Sequence, residues 1–403
     1  MSLTFDDIRA AAERIDGHVE RTPLRRSRKL SDLTGADVWV KCENQQFTGS
    51  FKDRGACNKL VQLSPEERAR GVVTASAGNH AQALACQAKR CGAPAMIVMP
   101  EATPTVKVEQ TQRFGAEILL EGETLDESQV RALKIAEDRG MMFVSAFNDY
   151  DIMAGQGTAG LEMLEDQPDL EVMLVPIGGG GLIAGVGTAA KALRPDLRLF
   201  GVEADMYPSF TARAKGDNAP PIGGQTIAEG IAVKRVGDLS FAVAEPLIDE
   251  VLLVDEGHLE EAVALYVSME KTVAEGAGAA TLAALLAHGD RFRGRKVGIV
   301  LSSGNIDTRL LAGVLTRELV REHRIVSLRV SSDDRPGMLA TITRVIGDEG
   351  GNIIDVAHNR LMLDLPAKTT AFNIMIETRG DDHSKAIVDA LAEHGYQPEV
   401  LSS

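Results

Sequence analysis

Between about Val38 and Ser303, short β-rich apolar runs alternate with longer helical patterns, and no other feature of the chain restricts its fold as much. The run GVVTASA leads into the helical pattern NHAQALACQAKRCG, then APAMIVMP, then a helix through Arg113. Later strands are EVMLVPI, RLFGVEA, DEVLLVD and KVGIVLSS, each followed by glycine or polar residues and then a helix. Such alternation reads as βαβ units around a parallel sheet. An open α/β sheet binds ligands beyond the carboxyl ends of its strands, which is where these glycines fall.

A different rhythm follows the helix LLAGVLTRELVREH: the strand IVSLRVSS, a DRPG turn, the helix MLATITRVIGDEG, the strands NIIDVAHNRLM and TTAFNIMIET, a helix and a last short strand. That βαββαβ order is ferredoxin-like. The boundary is expected near His323, dividing residues 1–322 from 323–403. A chain of 403 residues is too long for one core. Its net charge of -15 offers no footprint for nucleic acid or an anionic membrane, so small molecules are the expected partners. The opening MSLTFDDIRAAAERI is an acidic amphipathic helix pattern rather than a signal sequence, and no long apolar run follows, which predicts a cytoplasmic protein. Cys42, Cys57, Cys86 and Cys91 form no CxxC pair and read as reduced, mostly buried thiols.

Four consecutive glycines, Gly178, Gly179, Gly180 and Gly181, stand between the strand EVMLVPI and the helix LIAGVGTAAKAL. A tight turn needs one or two; four let backbone N–H groups converge on a phosphate at a helix N-terminus. No Lys-Ser or Lys-Thr follows, so a Walker A loop is excluded. The dinucleotide pattern GxGxxA is met by Gly179, Gly181 and Ala184, with Glu203 at the end of the next strand as a ribose-binding acid, so an NAD-dependent dehydrogenase is a rival reading. In FTGSFKDRG, Lys52 opens a helix predicted to run to Leu63. A lysine gains nothing there from the helix dipole. Beside Phe51, small neighbours and the ligand edge of the sheet, its amine can be desolvated and its pKa lowered, as a Schiff-base lysine requires. In SAGNHAQ, Ser76, Gly78 and Asn79 offer a hydroxyl, an approachable backbone and an amide, a cradle for a carboxylate or ring oxygen, although helix capping accounts for them equally well.

FTGSFKDRG, SAGNHAQ, GGGGL, TIAEGIAVKR (Thr226 to Arg235), VAEGAGA (Val273 to Ala279) and LSSGNID (Leu301 to Asp307) occur in one order. Together they resemble the threonine and serine dehydratases of the β-family of pyridoxal-phosphate enzymes, and the C-terminal part resembles an ACT domain, a module that binds amino acids. The resemblance implies a tryptophan-synthase-β-like fold type II with two parallel-sheet subdomains, the smaller at about 49–150 inserted in the larger, plus a C-terminal ferredoxin-like ACT domain. It implies pyridoxal 5'-phosphate as cofactor, Lys52 as the lysine that carries it and as the base for the substrate Cα proton, and the glycine loop with Leu182 around the phosphate. Asn79 would bond the ring oxygen, Phe51 would pack on the ring face and Ser302 would bond the pyridine nitrogen. Ser303 stands beside it where a glycine is usual. Ser76, Gly78, His80 and Ala81 would receive the substrate carboxylate. Asp334, Gly337, Met338 and Leu339, with Asn352 and Ile353, would bind an amino-acid effector, and a homodimer or homotetramer is expected.

The departures from the family pattern carry expectations of their own. Ala77 replaces the serine that acts as second base in the related serine racemases, which predicts elimination without efficient racemisation. Ser209 replaces the acid that would join Glu203 in a racemase-type cation site, leaving Glu203 as the one candidate metal ligand. The expected reaction is dehydration of L-threonine to 2-oxobutyrate and ammonia, slower on L-serine; L-serine or a 3-hydroxyaspartate as main substrate, or an inactive amino-acid sensor, are the alternatives. The pocket for the threonine methyl is not visible in any one side chain, since one methylene is worth only about 1 to 3 kcal/mol.

Overall fold

The computed structural model describes the chain apart from residues 1, 218, 220, 222, 360–367 and 402–403. It divides into two compact units, Met1–Ile306 and Asp307–Ser403. The helix Thr308–Arg321 therefore groups with the second unit, although the change of rhythm in the sequence comes later, near His323.

The strands of the first unit are β1 (Leu24–Ser27), β2 (Asp37–Cys42), β3 (Val72–Ala75), β4 (Ala95–Met99), β5 (Glu117–Leu120), β6 (Met142–Phe143), β7 (Val172–Pro176), β8 (Arg198–Ala204), β9 (Glu250–Val254) and β10 (Lys296–Leu301). Six of them form one sheet in the order β1-β2-β10-β7-β8-β9. β1 lies antiparallel to β2, and every other neighbouring pair is parallel. The other four form a wholly parallel sheet in the order β5-β4-β3-β6, nested in sequence between β2 and β7. The central strands β7 and β10 read as continuous apolar runs because both faces of a parallel sheet are covered by helices.

The N-terminal helix, Phe5–Ile15, forms as its amphipathic pattern predicts: Thr4 and Asp7 make a reciprocal capping box, and Ile8, Ala11 and Ile15 are buried. The helix that starts at Lys52 ends at Leu60, three residues before the expected Leu63. Ser64 caps the next helix and Pro65 occupies its first turn, and a residue preceding proline is held out of the helical region.

Beneath the Lys52 helix lies a buried ion network. Arg54 is wholly enclosed; its Nη2 donates to Glu43 Oε1 at 2.8 Å and its Nη1 to Glu162 Oε1 at 2.6 Å. Lys41, equally buried, donates to Glu162 Oε2 at 2.5 Å and to the Thr22 carbonyl at 2.6 Å. Burial opposes the charge on Arg54, but the two carboxylates outweigh it and hold its pKa above the ordinary value. Glu43 is held below its ordinary value because the charge and hydrogen bonds of Arg54 overcome the cost of burial. Two cations and two anions thus cancel, and the network ties the Lys52 helix to β2 and to the helix Tyr150–Asp166.

In the second unit, β11 (Ile325–Asp333), β12 (Asn352–Asn359), β13 (Thr369–Glu377) and β14 (Gln397–Val400) form an antiparallel sheet in the order β12-β13-β11-β14. The helices Met338–Asp348 and Asp381–Glu393 complete a βαββαβ chain order. Val326, Leu328, Val330, Phe372, Ile374 and Ile376 point to one face and pack with Ile342, Ile346, Ile387 and Leu391. The end of the expected strand NIIDVAHNRLM, Arg360 to Met362, lies outside the described residues. No helix among the described residues is long and apolar enough to cross a membrane.

Removing one partner of a buried ion pair strands the other. Arg54→Met is therefore expected to lower unfolding free energy by about 3 to 5 kcal/mol, read by urea denaturation. A loss under 1 kcal/mol, about what an exposed pair is worth, would contradict the enclosed network.

Candidate active site

The helix bearing Lys52 is seated directly on the end of β10: the Phe51 amide donates to the Ser302 carbonyl at 3.0 Å, and Ser50 and Ser303 form an isolated bridge. Lys52 is half-buried. Its Nζ lies 5.0 Å from the Phe51 ring centroid and donates to the Ala146 carbonyl at 2.7 Å. Burial pushes its pKa down to about 8. No carboxylate pairs with it among the described residues, so no opposite charge offsets that loss of hydration.

The tetraglycine loop joins β7 to the helix Gly181–Leu193. Gly180 sits at φ 91°, a conformation that disfavours any side chain. Gly179 is glycine for a different reason, since a Cβ there would lie 2.2 Å from the Phe147 ring. The Gly179 carbonyl is turned toward Ser240 Oγ at 2.6 Å and the Gly237 amide at 3.2 Å. No side chain caps the helix, and among the described residues no backbone carbonyl accepts from the amides of Gly179, Gly180, Gly181 or Leu182. A set of free N–H donors at a helix N-terminus is suited to an anion.

The SAGNH segment opens the helix Asn79–Cys91 after β3. The Ser76 hydroxyl accepts from the Gly78 amide at 3.3 Å, and a Cβ on Gly78 would meet nothing within 4 Å, so Gly78 faces open space. The His80 ring is buried against the Val144 carbonyl at 3.3 Å; burial, then the nearby charge of Lys52, pushes its pKa down to about 3. Ala81 is wholly buried in the core of the smaller sheet. With the His80 ring and the Ala81 side chain buried, the backbone amides at the start of this helix are the groups these two residues offer a ligand.

Asn79 occupies the middle of a half-buried network. Its Nδ2 donates to Glu275 Oε1 at 2.7 Å, and its Oδ1 accepts from Asn305 Nδ2 at 2.7 Å. Glu275 also accepts from the Ser303 hydroxyl, and its pKa is raised by burial. That engagement separates the two neighbouring serines: Ser303 is committed to Glu275, whereas the Ser302 hydroxyl has only a 3.5 Å approach to the Ala277 carbonyl.

Glu203 takes no part in this cleft. Its carboxylate accepts from the Phe210 amide at 2.6 Å, the Thr211 amide at 3.0 Å and the Thr211 hydroxyl at 2.7 Å, so it caps the helix Ser209–Ala214. Both oxygens are thus engaged in holding this helix. No cluster of three or more potential metal ligands occurs among the described residues.

In the second unit, Asp334 to Leu339 lead into the helix Met338–Asp348, with Gly337 at φ 92°, while Asn352 and Ile353 open β12. The register separates them: Asp333 pairs with Thr369 at one end of β13, and Asn352 pairs with Glu377 at the other. Eight residues of strand span about 27 Å, so one copy does not bring the two segments together.

Three contributors carried no signal of their own in the sequence. Glu275 and Asn305 sit inside recognised motifs, where a lone acid and a lone amide among small residues were the available hint. Ala146 contributes a backbone carbonyl, which no residue type reports.

Residues 15–303 match the family model described as pyridoxal-phosphate dependent enzyme, and residues 326–361 match the ACT domain. The fold and cleft are those of that enzyme class, and the chain belongs to it, with pyridoxal phosphate as its cofactor. A curated protein of Thermotoga maritima named L-threonine ammonia-lyase is 42% identical over 400 residues, covering 99% of this chain and 100% of its own length. Within the class, the chain thus belongs to the threonine ammonia-lyase family of lyases. Among solved structures, maize serine racemase has a TM-score of 0.74 at 34% identity, covering 80% of this chain and 100% of that one. Threonine deaminase isoform 2 from Solanum lycopersicum has a TM-score of 0.72 at 33% identity, covering 78% of this chain and 90% of that one.

An amine that titrates near pH 8 is largely uncharged only above that pH. Capture of pyridoxal phosphate by the cofactor-free protein, followed as visible absorbance, is expected to accelerate up to about pH 8 and then level off. A rate still climbing at the ordinary lysine value of about 10.4 would show that Lys52 is not desolvated.

Proposed function

We propose that this chain is an L-threonine dehydratase, releasing 2-oxobutyrate and ammonia, with L-serine as a poorer substrate. The observation that carries this reading is Lys52, a desolvated and carboxylate-free amine held between the end of β10 in the larger sheet and the Ala146 carbonyl that follows β6 in the smaller one, in a chain that matches L-threonine ammonia-lyase end to end. The residues present fit the cofactor. The uncapped amides of Gly178 to Gly181 and Leu182 would hold its phosphate, and Phe51 would pack on its ring. The hydroxyl of Ser302, held only by a 3.5 Å bond to the Ala277 carbonyl, would meet the ring nitrogen, and Asn79 the ring oxygen.

When bound, the cofactor supplies an electron sink for the substrate Cα; a hydroxyl rather than a carboxylate at its ring nitrogen keeps that sink moderate and favours prompt loss of the β-hydroxyl. Lys52 Nζ takes the Cα proton, which requires a neutral amine, the form that burial favours. The Ala146 carbonyl accepts an N–H of the amine and orients it. The hydroxyl of Ser76 and the amides of Gly78, His80 and Ala81 would hold the substrate carboxylate at the N-terminus of their helix. Overall the Cα–H and Cβ–O bonds break, water leaves, and the released enamine hydrolyses to the 2-oxo acid and ammonia. Ala77, in the segment SAGNH, has no proton to give, so reprotonation from the face opposite Lys52 is not supported.

We further propose that the ACT domain binds an amino acid and shifts activity. Because Asp334 to Leu339 and Asn352 to Ile353 lie at opposite ends of the sheet, a ligand touching both needs two copies, and the edge position of β12 offers unpaired backbone groups for such pairing. This supports a homodimer or homotetramer. By linkage, an effector that alters substrate affinity must itself bind differently when substrate is present. Isoleucine and valine are the effectors to try first. If these and other amino acids leave activity and thermal stability unchanged, the regulatory proposal fails.

The deciding assay is 2-oxo acid release from L-threonine, L-serine and 3-hydroxyaspartate by the holoenzyme. L-threonine is expected to give the highest kcat/KM, and Lys52→Ala to reduce it at least about 100-fold, the lower range for loss of a general base. Chiral analysis of L-serine reactions is expected to find pyruvate without D-serine; D-serine at a rate near that of pyruvate would overturn the role given to Ala77.

A further inference from the structure

We infer that Glu275 and Asn305 are positioning residues that fix the orientation of the Asn79 amide and thereby present its second N–H to the ring oxygen of the cofactor, an inference that rests on the role proposed for Asn79. The orientation of an amide side chain is ordinarily a free choice, settled only by its partners. Here the choice is settled from a group that cannot flip. Asn305 Nδ2 donates at 2.7 Å to the Thr48 carbonyl, a backbone acceptor, and this fixes the Asn305 amide. The same Nδ2 donates at 2.7 Å to Asn79 Oδ1, so the oxygen of Asn79 must face Asn305 and its nitrogen the other way. That nitrogen meets Glu275 Oε1 at 2.7 Å.

Turning Asn79 over would set its oxygen against the Glu275 oxygen and its NH2 against that of Asn305, two mismatches in a half-buried site. Turning Asn305 as well would move the clash to the Thr48 carbonyl. The side chain is also closely packed: a Cβ on Gly49 would lie 2.5 Å from Asn305 Oδ1, so Asn305 fills the space a side chain would take. At the far end Glu275 is held by its own amide, which donates to the Ser303 carbonyl at 3.2 Å, and by the Ser303 hydroxyl. One Asn79 N–H is thus committed to Glu275, and one remains.

Chain separation makes the arrangement informative. Asn79 opens a helix of the smaller sheet, whereas Glu275 precedes the helix Gly276–Ala287 and Asn305 follows β10 of the larger one. The two hydrogen bonds therefore set the donor of one subdomain from the frame of the other, across the cleft that takes the cofactor.

The test uses holoenzyme with Asn79→Ala, Asn305→Asp, Glu275→Leu, Glu275→Gln and the double variant Asn79→Ala/Asn305→Asp, reading the ratio of visible to near-ultraviolet cofactor absorbance and the cofactor Kd. Asn305→Asp replaces a donor toward Asn79 by an acceptor, and Glu275→Leu removes the acceptor at similar volume. Each is expected to shift the ratio in the direction of Asn79→Ala and to raise Kd about tenfold, the loss of one good hydrogen bond. Glu275→Gln, whose amide oxygen still accepts from Asn79 and Ser303, is expected to stay within about twofold of wild type. The double variant is expected to match Asn79→Ala, because residues acting through Asn79 have no further effect once it is gone. If Asn305→Asp and Glu275→Leu keep the wild-type ratio while Asn79→Ala shifts it, positioning is overturned and the role of Asn79 stands. If Asn79→Ala itself leaves ratio and Kd unchanged, that role falls and the inference with it.

Discussion

The buried quartet of Lys41, Arg54, Glu43 and Glu162 is the interaction on which the catalytic unit most depends. Each of these charges would be costly alone in the interior, and they persist because two cations and two anions are hydrogen-bonded to one another. Their placement matters as much as their sum. Arg54 lies two residues beyond Lys52 on the same helix, Glu43 and Lys41 mark the end of β2, and Glu162 comes from the helix Tyr150–Asp166. The first turn that carries the reactive amine is therefore clamped from below by directional bonds rather than by apolar contact alone.

That clamp makes the desolvation of Lys52 sustainable. An amine enclosed without a carboxylate loses stability relative to the open chain at any pH where the open chain would hold it charged. Because the folded pKa is lowered to about 8, unfolding takes up a proton between there and the ordinary lysine value, and stability rises with pH across that window. Below it the burial of a charge is a standing cost, carried by the rest of the unit. A reactive amine is thus maintained against the local preference of the fold, as strained or desolvated groups at active sites commonly are.

Much of this was legible in the residues. The alternation of apolar runs and helical patterns announced parallel sheets, and Gly178 to Gly181 and the turn before Lys52 announced an anion site and a desolvated amine, because each depends on residue types local in sequence. The unread parts depend on partners distant in the chain. Glu203 looked like a ribose acid or cation ligand, and only folding reveals that it spends both oxygens on the amides and hydroxyl of residues seven and eight positions on. Asn79 and Ser303 could not be matched to Glu275 and Asn305 by any spacing rule, since nearly two hundred residues intervene for Asn79. The early end of the Lys52 helix at Leu60, by contrast, was written in Ser64 and Pro65, and an apolar Leu63 masked it.

Ala146 and Phe147 bear on two places at once. The carbonyl of the first receives the Lys52 amine, and the ring of the second lies against Gly179 of the anion loop. Their Cα atoms are separated by a single peptide unit, about 3.8 Å that no side-chain rotation can alter. The chain thus holds a covalent ruler between the point where a cofactor's aldehyde would be caught and the point where its phosphate would rest. Drift in this loop would therefore displace the acceptor of the amine and the ring beside Gly179 together.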